Sequence, residues 1–544
     1  MARLPQPGGD AGNWGAILND YLAQSHAADG MLKSGSVGAS QLRDKSVTAA
    51  HIIDGSISTS HLTDNVQISL ARADSAYQRP AEGVPLADLN RTDIDTAYAS
   101  KSSLGFDVIL EGDNPSADPV VYRDADVQAA FNSRRARLGP GVYHVSGQIR
   151  ADSGCEVVLD GATIVSHYTS GRAIEQTGTT PDESVRDITS GATKGSSVLT
   201  TTTAGLDVGD WILATSGDKQ ENDTITDRFA AVLRQVTAVD ITTITIDAPL
   251  YKDMTTSPRC VKVVLAPPMT IAGTGVIRAA VPASTKRALV RSILGHSPHL
   301  GPGVTLGPSG GPGFEPTHTV NALSEATFVD LIDNGANGNN GYAVNDGSAS
   351  RNTRVLGGSA TRVRHGYTTN NGAVETIHSG LGAGIYGEPE DAYVGGGFAV
   401  YESGHQAFDT HECGRRIVQE VIAINCQQGL VARAYDCTFI IKSIVSPTLY
   451  AAHVADSAVN TVIANLSVVG CRPGVPSGAA VLRLRAPVTL VSPNVYEAPP
   501  SPWQGVKAET DRECPVTIVG GGYIAGTVKA TRQCRSQVWT DQRH

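Results

Sequence analysis

The chain has few aromatic side chains, and this shortage limits how it can build a core. Of its 544 residues, 40% are hydrophobic but only 5% are Phe, Tyr or Trp, whereas 58 are Gly and 28 are Pro. A core without large rings is filled by Val, Ile, Leu and Ala, and frequent Gly and Pro break the chain into short strands. The composition therefore predicts an all-β protein.

Long apolar runs and clusters of basic residues are also missing. No apolar run reaches the roughly 18 residues that a membrane-spanning helix needs, and the first residues lack the apolar region of a signal peptide. The formal net charge is −10, with acidic and basic residues interspersed, so no Lys/Arg stripe is present to neutralise phosphates. We therefore expect cytoplasmic synthesis, no membrane insertion and no nucleic-acid partner.

The cysteines show no spacing that is typical of a metal site. No CxxC motif occurs, and an isolated Asp-x-His motif, here Asp409 and His411, is a common coincidence. We therefore expect no metal and no cofactor. Thiols stay reduced in the cytoplasm, so we interpret the cysteines as reduced core residues: Cys155, Cys260, Cys413, Cys426, Cys437, Cys471, Cys514 and Cys534.

Three near-copies of a ten-residue phrase are present near the N-terminus, at residues 36–42, 46–52 and 56–62. Each copy carries only two apolar anchors, such as Val37 and Leu42, so no copy can bury a core alone. Stacking on the same segment of other chains would cover these anchors, which predicts a homo-oligomeric repeat neck over residues 35–80. The alternative is a disordered linker.

An amphipathic helix is predicted within residues 1–34, ahead of the repeats. Its apolar residues recur at i, i+3, i+4, i+7 and i+8, which places them on one stripe. A helix this short is only marginally stable in water by itself. We therefore expect its apolar stripe to pack against another subunit, or else the helix to fold back on its own chain. The stripe consists of Trp14, Ile17, Leu18, Tyr21 and Leu22.

A polar connector, residues 81–105, leads to a body over residues 106–544 in which strands alternate with glycine turns. Asp126 is expected to cap a short helix at its start. Residues 487–491 recur as 515–519, and one coil of a β-solenoid takes about 20 to 28 residues. The pattern predicts stacked coils with a small antiparallel β domain inserted at about 182–264. The Gly/Pro-rich stretch 282–317 is expected to be a long loop or a coil with an excursion.

Two segments of the sequence resemble known phage proteins. Residues 4–10, with Trp14, Gly15 and Asp29-Gly30, look like the start of tail proteins encoded by phages of actinobacteria, and the repeats resemble their neck. Residues 127–145 are similar to the first coils of the pectate-lyase-like family of right-handed parallel β-helices, which includes phage tailspikes. The resemblance implies a right-handed parallel β-helix in a virion tail fibre or tailspike.

The resemblance also implies partners and a location. Members of the family are homotrimers that attach to other tail or baseplate proteins through the N-terminus, here the stripe of the first helix. They are made in the host cytoplasm and lie at the tail tip or in side fibres, with the β-helix facing the host surface. Some cleave a surface polysaccharide and others only bind it, and fold does not decide between the two.

Carboxylates and histidines cluster in one region of the body. Glycan cleavage needs two carboxylates across the bond, or a base beside a neutralising group. Two groups about one coil apart supply the catalytic candidates: Glu388, Glu390, Asp391, Asp409, His411 and Glu412. In the alternative interpretation, these side chains only cap backbone groups at turns.

Flat rings beside polar groups are typical of sugar-binding sites. The glycan-binding candidates are Tyr386, Tyr393, Tyr401, His405 and Trp503, each of which could equally serve in structural packing. No motif of a lyase active site is visible, so the sequence favours binding over turnover. The predicted function is a trimeric virion appendage that binds a host cell-surface glycan. The alternative is a depolymerase, either a polysaccharide lyase or a glycoside hydrolase.

Overall fold

The structure is a computed structural model of the chain. The predicted repeat neck (35–80) and connector (81–105) lie almost entirely outside the residues that it describes. The chain folds into two compact units, Met1–Ala97 and Tyr98–His544. The structure describes residues 4–6, 9–34, 36, 106–114, 120–181, 185–219, 229–284, 287–331, 341–369, 389–410, 417–470, 480–495, 504–509, 516–519, 523–524 and 528–531.

The first unit contains the predicted N-terminal helix, α1, over Trp14–Leu22. None of its side chains is buried, and Trp14 remains 45% exposed. Leu18, Tyr21 and Leu22 are exposed to a similar degree, and Ile17 is half-buried. The apolar stripe is thus uncovered within the described part of this unit.

Near its start, the second unit contains a short helix that packs against the strands of the first coils. This helix, α2, spans Asp124–Asn132 and buries Val127 and Phe131. The prediction that Asp126 caps it is wrong, because the helix begins two residues earlier and Arg123 occupies the N-cap position. The Asp126 carboxylate instead accepts a 2.6 Å hydrogen bond from Nε of Arg123.

The rest of the second unit is built almost entirely from strands. In chain order these are β1 (Val108–Leu110), β2 (Arg135–Leu138), β3 (Gly141–Val145), β4 (Ile149–Arg150), β5 (Cys155–Ser166), β6 (Ile174–Thr177), β7 (Arg186–Ser190), β8 (Val198–Thr201), β9 (Trp211–Lys219), β10 (Phe229–Val239), β11 (Thr243–Ile246), β12 (Arg259–Val263), β13 (Met269–Ala279), β14 (Val290–Ile293), β15 (His299–Leu300), β16 (Val304–Leu306), β17 (Phe314–Thr317), β18 (Leu323–Ser324), β19 (Thr327–Leu331), β20 (Tyr342–Asp346), β21 (Arg354–Leu356), β22 (Ser359–Val363), β23 (His365–Thr369), β24 (Tyr393–Gly395), β25 (Ala399–Tyr401), β26 (Gln406–Thr410), β27 (Val418–Ile424), β28 (Gln428–Ala432), β29 (Thr438–Val445), β30 (Tyr450–Val454), β31 (Thr461–Ala464), β32 (Ser467–Val469), β33 (Ala480–Leu484), β34 (Val488–Val491), β35 (Asn494–Val495), β36 (Gln504–Glu509), β37 (Val516–Val519), β38 (Tyr523–Ile524) and β39 (Val528–Thr531).

These strands stack in parallel as successive coils. A 21-stranded sheet contains two ladders of paired strands, which are joined because the long strands β5, β13, β27 and β29 take part in both. A separate 12-stranded sheet runs from β4 to β39, and we call it the third sheet. Val488 of β34 pairs with Val516 of β37, so the sequence recurrence marks equivalent positions on neighbouring coils. The predicted all-β fold, built on a parallel β-helix, is confirmed.

Apolar side chains on one face of each strand form continuous columns inside the helix. In the third sheet, Val344, Tyr367, Phe408, Leu430 and Ala452 pair in register from coil to coil, and all five are fully buried. Burying a large aliphatic or aromatic side chain contributes about 1.5–3 kcal/mol, and each coil supplies several. The four described cysteines, Cys155, Cys260, Cys426 and Cys437, are buried free thiols, as predicted.

A closed antiparallel barrel, β7 to β12, interrupts the second coil. It has its own core, and its two connections to the solenoid lie side by side, because Thr179 and Val264 exchange backbone hydrogen bonds of 2.9 and 2.7 Å. Strands β5 and β13 pair directly across the insertion. The segment between β6 and β13 therefore forms a small antiparallel barrel of its own. The stretch 282–317 forms strands β14 to β17, so it is a regular coil region and not a long loop.

Candidate functional site

A column of polar side chains runs along the outer face of the third sheet. Side chains alternate between the two faces of a strand, so the neighbours of the buried apolar column point outward. Paired backbone positions place these residues one above another on successive coils. We call this set the polar column: Arg150, Glu175, Arg291, Glu315, Asn345, Thr368, Asp409, Val431, His453 and Arg483.

The N-terminal half of the polar column is neutralised internally. Arg150 Nη1 lies 2.7 Å from Oε1 of Glu175, and Arg291 Nε lies 3.4 Å from Oε2 of Glu315. Asn345 Nδ2 donates a 3.0 Å hydrogen bond to the same Glu315 carboxylate. Alternating charge at successive coils therefore leaves little net charge in this half.

Asp409 lies at the middle of the polar column and is fully buried. Its Oδ1 is 3.4 Å from Arg433 Nε, and its Oδ2 is 3.7 Å from His365 Nδ1, yet neither oxygen accepts a hydrogen bond from a described residue. Burial raises the pKa of the Asp409 carboxyl, while the charges of Arg433, His405 and Arg364 oppose that rise. Within the described residues, the carboxylate is therefore balanced by nearby positive groups and not by hydrogen bonds.

Aromatic and basic side chains surround this carboxylate. The His365 ring packs between the rings of Tyr342 and His405, with centroid separations of 4.9 and 5.5 Å. The Arg364 guanidinium lies 5.7 Å from the centroid of the Tyr342 ring. His405 is half-buried, and burial lowers its pKa, which favours the neutral imidazole. We call this group the Asp409 cluster: Tyr342, Arg364, His365, His405, Asp409 and Arg433.

On the C-terminal side of the Asp409 cluster the polar column continues through Val431, His453 and Arg483. Arg483 Nη1 donates a 3.0 Å hydrogen bond to the hydroxyl of Tyr450, whose ring centroid is 5.5 Å from that of His453. Lys507 and Lys529 follow in the same backbone register.

The structure brings two of the predicted site residues together and separates others. Asp409 and His405 belong to one cluster. Glu390 is buried elsewhere, in an ion pair with Arg234 of the barrel, so it does not join Asp409 and His405. Asp391 is exposed in a turn with φ of 55°. The candidates Glu388, His411 and Glu412 lie outside the described residues.

The predicted sugar-binding tyrosines do not join the Asp409 cluster. Tyr393 on β24 and Tyr401 on β25 belong to the 21-stranded sheet, whereas the cluster belongs to the third sheet. Tyr393 is half-buried and hydrogen-bonded to Glu420, and Tyr401 is 36% exposed. Tyr386 and Trp503 lie outside the described residues.

Three members of the cluster, Tyr342, Arg364 and Arg433, were not predicted from the sequence. They come from three other coils, and loops of unequal length separate them from Asp409. To predict them from the sequence, one would need the register of successive strands, which pairs Tyr342 with His365 and Thr368 with Asp409.

Two classes of site are absent from the described part of the chain. No group of three or more His, Cys, Asp or Glu side chains is placed to hold a metal ion within those residues. Among the same residues, no helix has both the length and the apolar character needed to cross a bilayer.

Comparison with solved structures identifies similar folds. No protein-family model matches the sequence, and no curated protein matches it. The Gp54 tailspike of Acinetobacter baumannii bacteriophage AP22, solved with an A. baumannii capsular saccharide, is similar at 11% identity and a TM-score of 0.52, over 74% of this chain and 67% of that one.

Two further tailspikes are comparably similar. The tailspike gp49 from Pseudomonas phage LKA1 has 14% identity and a TM-score of 0.53, with 75% of this chain and 76% of that chain covered. The Pseudomonas phage phi297 tailspike gp61 has 14% identity and a TM-score of 0.50, over 76% and 74% of the two chains. At such low identity the likeness concerns architecture: the chain shares the parallel β-helix fold of phage tailspike proteins.

Proposed function

We propose that this chain is a phage tail fibre or tailspike protein that binds a host cell-surface glycan during adsorption. The observation that carries the proposal is the Asp409 cluster, in which a buried carboxylate that receives no hydrogen bond from the described residues lies beside partly exposed arginines and a histidine. The tailspike fold supports it, since one similar tailspike was solved with a capsular saccharide.

The chemistry of the cluster suits a sugar. Carboxylate oxygens accept hydrogen bonds from hydroxyl groups, and guanidinium groups donate two at once in a fixed plane. Binding would require the side chains that cover Asp409 to shift, since its oxygens have almost no exposed surface. Arg433, Arg364 and His405, which are partly exposed, are therefore the groups that a glycan meets first.

The proposed assembly is a homotrimer in the virion tail. Contacts between subunits begin in residues 1–80, and the N-terminal segment attaches to other tail or baseplate proteins. The uncovered stripe of α1 supports this, because Trp14, Leu18, Tyr21 and Leu22 are all exposed. Synthesis takes place in the host cytoplasm, and neither nucleic acid nor membrane insertion is part of the proposal.

The test measures binding of the purified full chain to immobilised bacterial capsular and envelope polysaccharides. We expect at least one polysaccharide to bind, and we expect Asp409→Asn combined with His405→Ala to weaken that binding at least tenfold. Asp330→Asn combined with Arg362→Gln is the matched control, because it removes an exposed ion pair on a different sheet. Failure to bind any polysaccharide, or an equal loss in both double variants, would overturn the proposal.

Turnover of the glycan is the second candidate function, and the raised pKa of Asp409 favours it. A buried carboxyl whose pKa is raised can act as a general acid. An assay for new reducing ends or unsaturated sugars, on any polysaccharide that binds, decides between the two. Product formation that Asp409→Asn abolishes while binding persists would establish a depolymerase, and absence of product would leave a binding protein.

A further inference from the structure

We infer that the outer face of the 21-stranded sheet contains a second glycan subsite, in which the ring of Tyr393 stacks against a sugar ring while Glu420 and Arg354 bind its hydroxyl groups. The inference takes the class of ligand from the proposed function and places it at a site separate from the Asp409 cluster. Two observations carry it: the way in which Tyr393 is held, and the accessibility of the polar groups around it.

The Tyr393 side chain leans along its own strand and lies over Gly395. A Cβ atom added at Gly395 would be 2.6 Å from the Tyr393 hydroxyl oxygen and 2.9 Å from its Cζ, so the ring occupies the space that a side chain would need there. Side chains in strands usually stand roughly perpendicular to the sheet. The glycine therefore lets the ring lie against the backbone, while part of the ring stays exposed.

The hydroxyl end of this ring is anchored on the next coil. Tyr393 is hydrogen-bonded to Glu420, and Nζ of Lys442 lies 2.9 Å from Oε2 of the same carboxylate. The hydrogen bond from Lys442, together with that from Tyr393, holds the pKa of Glu420 below its usual value, so this carboxylate is ionised at neutral pH. A ring that is already held in place loses little freedom when a ligand binds.

Groups that accept and donate hydrogen bonds flank the ring. A carboxylate offers about four acceptor positions, and the Glu420 side chain is 25% exposed, so it has acceptor capacity beyond Tyr393 and Lys442. Arg354 pairs with Tyr393 from the preceding coil, is exposed, and carries only donors. A sugar ring presents an apolar C–H face and a rim of hydroxyl groups, and this arrangement matches both.

The face that carries Tyr393 is accessible, in contrast to the third sheet around Asp409. All residues of β23, β26 and β28 are buried, on both faces of the third sheet. In β27 and β29, buried residues alternate with half-buried or exposed ones, so only the inner face is covered. A ligand therefore reaches the Tyr393 ring without displacing any described residue.

The test uses a polysaccharide that binds the wild-type full chain. Tyr393→Leu keeps an apolar side chain but removes the ring, and it should weaken binding about threefold to tenfold, the range that aromatic stacking supplies. Tyr393→Phe should retain most of the affinity, because it keeps the ring. Tyr122→Leu is the matched control, since it removes another exposed tyrosine, in the first coils of the solenoid.

Gly395→Ala tests the position of the ring separately from its presence. The added methyl group would push the ring off the backbone and leave every binding group in the chain, so binding should weaken as it does in Tyr393→Leu. Because both changes act on the same contact, their effects should not add in the double variant. A general loss of folded protein would instead weaken the double variant further.

The outcomes separate this inference from the proposed function. If no polysaccharide binds, both fail. If binding occurs and Tyr393→Leu or Gly395→Ala leaves it unchanged, or if Tyr122→Leu weakens it equally, only the present inference is overturned. If Tyr393→Leu weakens binding while Asp409→Asn combined with His405→Ala does not, the glycan lies on this face and the Asp409 cluster is not its site.

Discussion

Arg234 of the barrel and Glu390 of the solenoid form a buried ion pair between segments 156 residues apart in the chain. Nη2 of Arg234 lies 2.9 and 3.0 Å from the two oxygens of Glu390, and both side chains are almost completely buried. Nε of Arg234 donates to the carbonyl of Ala248 at 3.0 Å. Beside this pair, apolar residues of both parts, including Leu233 and Val320, form one cluster.

Removing one partner of this ion pair should destabilise the protein strongly. Glu390→Ala leaves the Arg234 guanidinium buried without its counter-charge, which costs about 3–5 kcal/mol. We expect a matching fall in the free energy of unfolding, measured by urea denaturation. The double variant Arg234→Met, Glu390→Met should recover much of the loss, because no buried charge remains.

The exposed pair of Arg362 and Asp330 provides the control for this experiment. Exposed ion pairs contribute about 0–1 kcal/mol, so Asp330→Asn, which suits the left-handed φ of 52° at this position, should change the unfolding free energy by no more than that. An equally small effect of Glu390→Ala would contradict the assigned role of the buried pair.

Asp346 should make the protein less stable as the pH rises. Burial raises the pKa of this interior carboxyl to about 7, although hydrogen bonds from the Tyr367 and Thr353 hydroxyls, at 2.8 and 2.9 Å, oppose the rise. The folded state thus holds a proton that the unfolded chain releases near pH 4. The associated stability is complete below pH 4 and is lost as the pH rises to about 7.

The Asp346→Asn variant tests this dependence, since its amide does not titrate. Between pH 4 and 8 its unfolding free energy should gain about 4 kcal/mol relative to the wild type, as three pKa units imply. A difference between the two proteins that stays constant with pH would refute the assignment.

His318 should have the opposite effect on acid stability. Its side chain is 3% exposed, and burial lowers its pKa to about 4. The unfolded chain takes up the proton near pH 6.5, so the stability present above that pH is lost as the pH falls towards 4. His318→Gln should abolish this loss, about 3 kcal/mol, in urea denaturation at pH 7 and pH 4. An unchanged slope in the variant would show that His318 is not the responsible group.

The described thiols should be inert while the protein is folded. Burial raises the pKa of Cys155 and Cys437 to about 12, and that of Cys260 and Cys426 to about 11. The reactive thiolate is therefore scarce at neutral pH, and reagents have no access. Mass spectrometry after brief alkylation should find these four residues unlabelled in buffer and labelled in denaturant. Rapid labelling of Cys437 in buffer would contradict its place in the core.

The sequence predicted the coils better than it predicted the site. β-Branched and aliphatic runs identify strands locally, and residues 488–491 and 516–519 indeed occupy neighbouring coils. The Asp409 cluster depends instead on which residues are brought into register by loops of unequal length, and a single sequence does not specify that register. Arg234, the partner of Glu390, could not be predicted either, because it belongs to the barrel, which is inserted much earlier in the chain.

The stacking of coils also determines how the protein would respond to mechanical pulling. Strands lie across the direction of stacking, so a pull along that direction loads the hydrogen bonds of each interface between coils, one interface after another. These interfaces differ in length: β5 and β13 pair from Cys155↔Met269 to Ser166↔Ala279, whereas β15 and β18 share only His299↔Leu323 and Leu300↔Ser324. Tension would therefore open the solenoid by stepwise peeling, and the long seam next to the barrel would yield late.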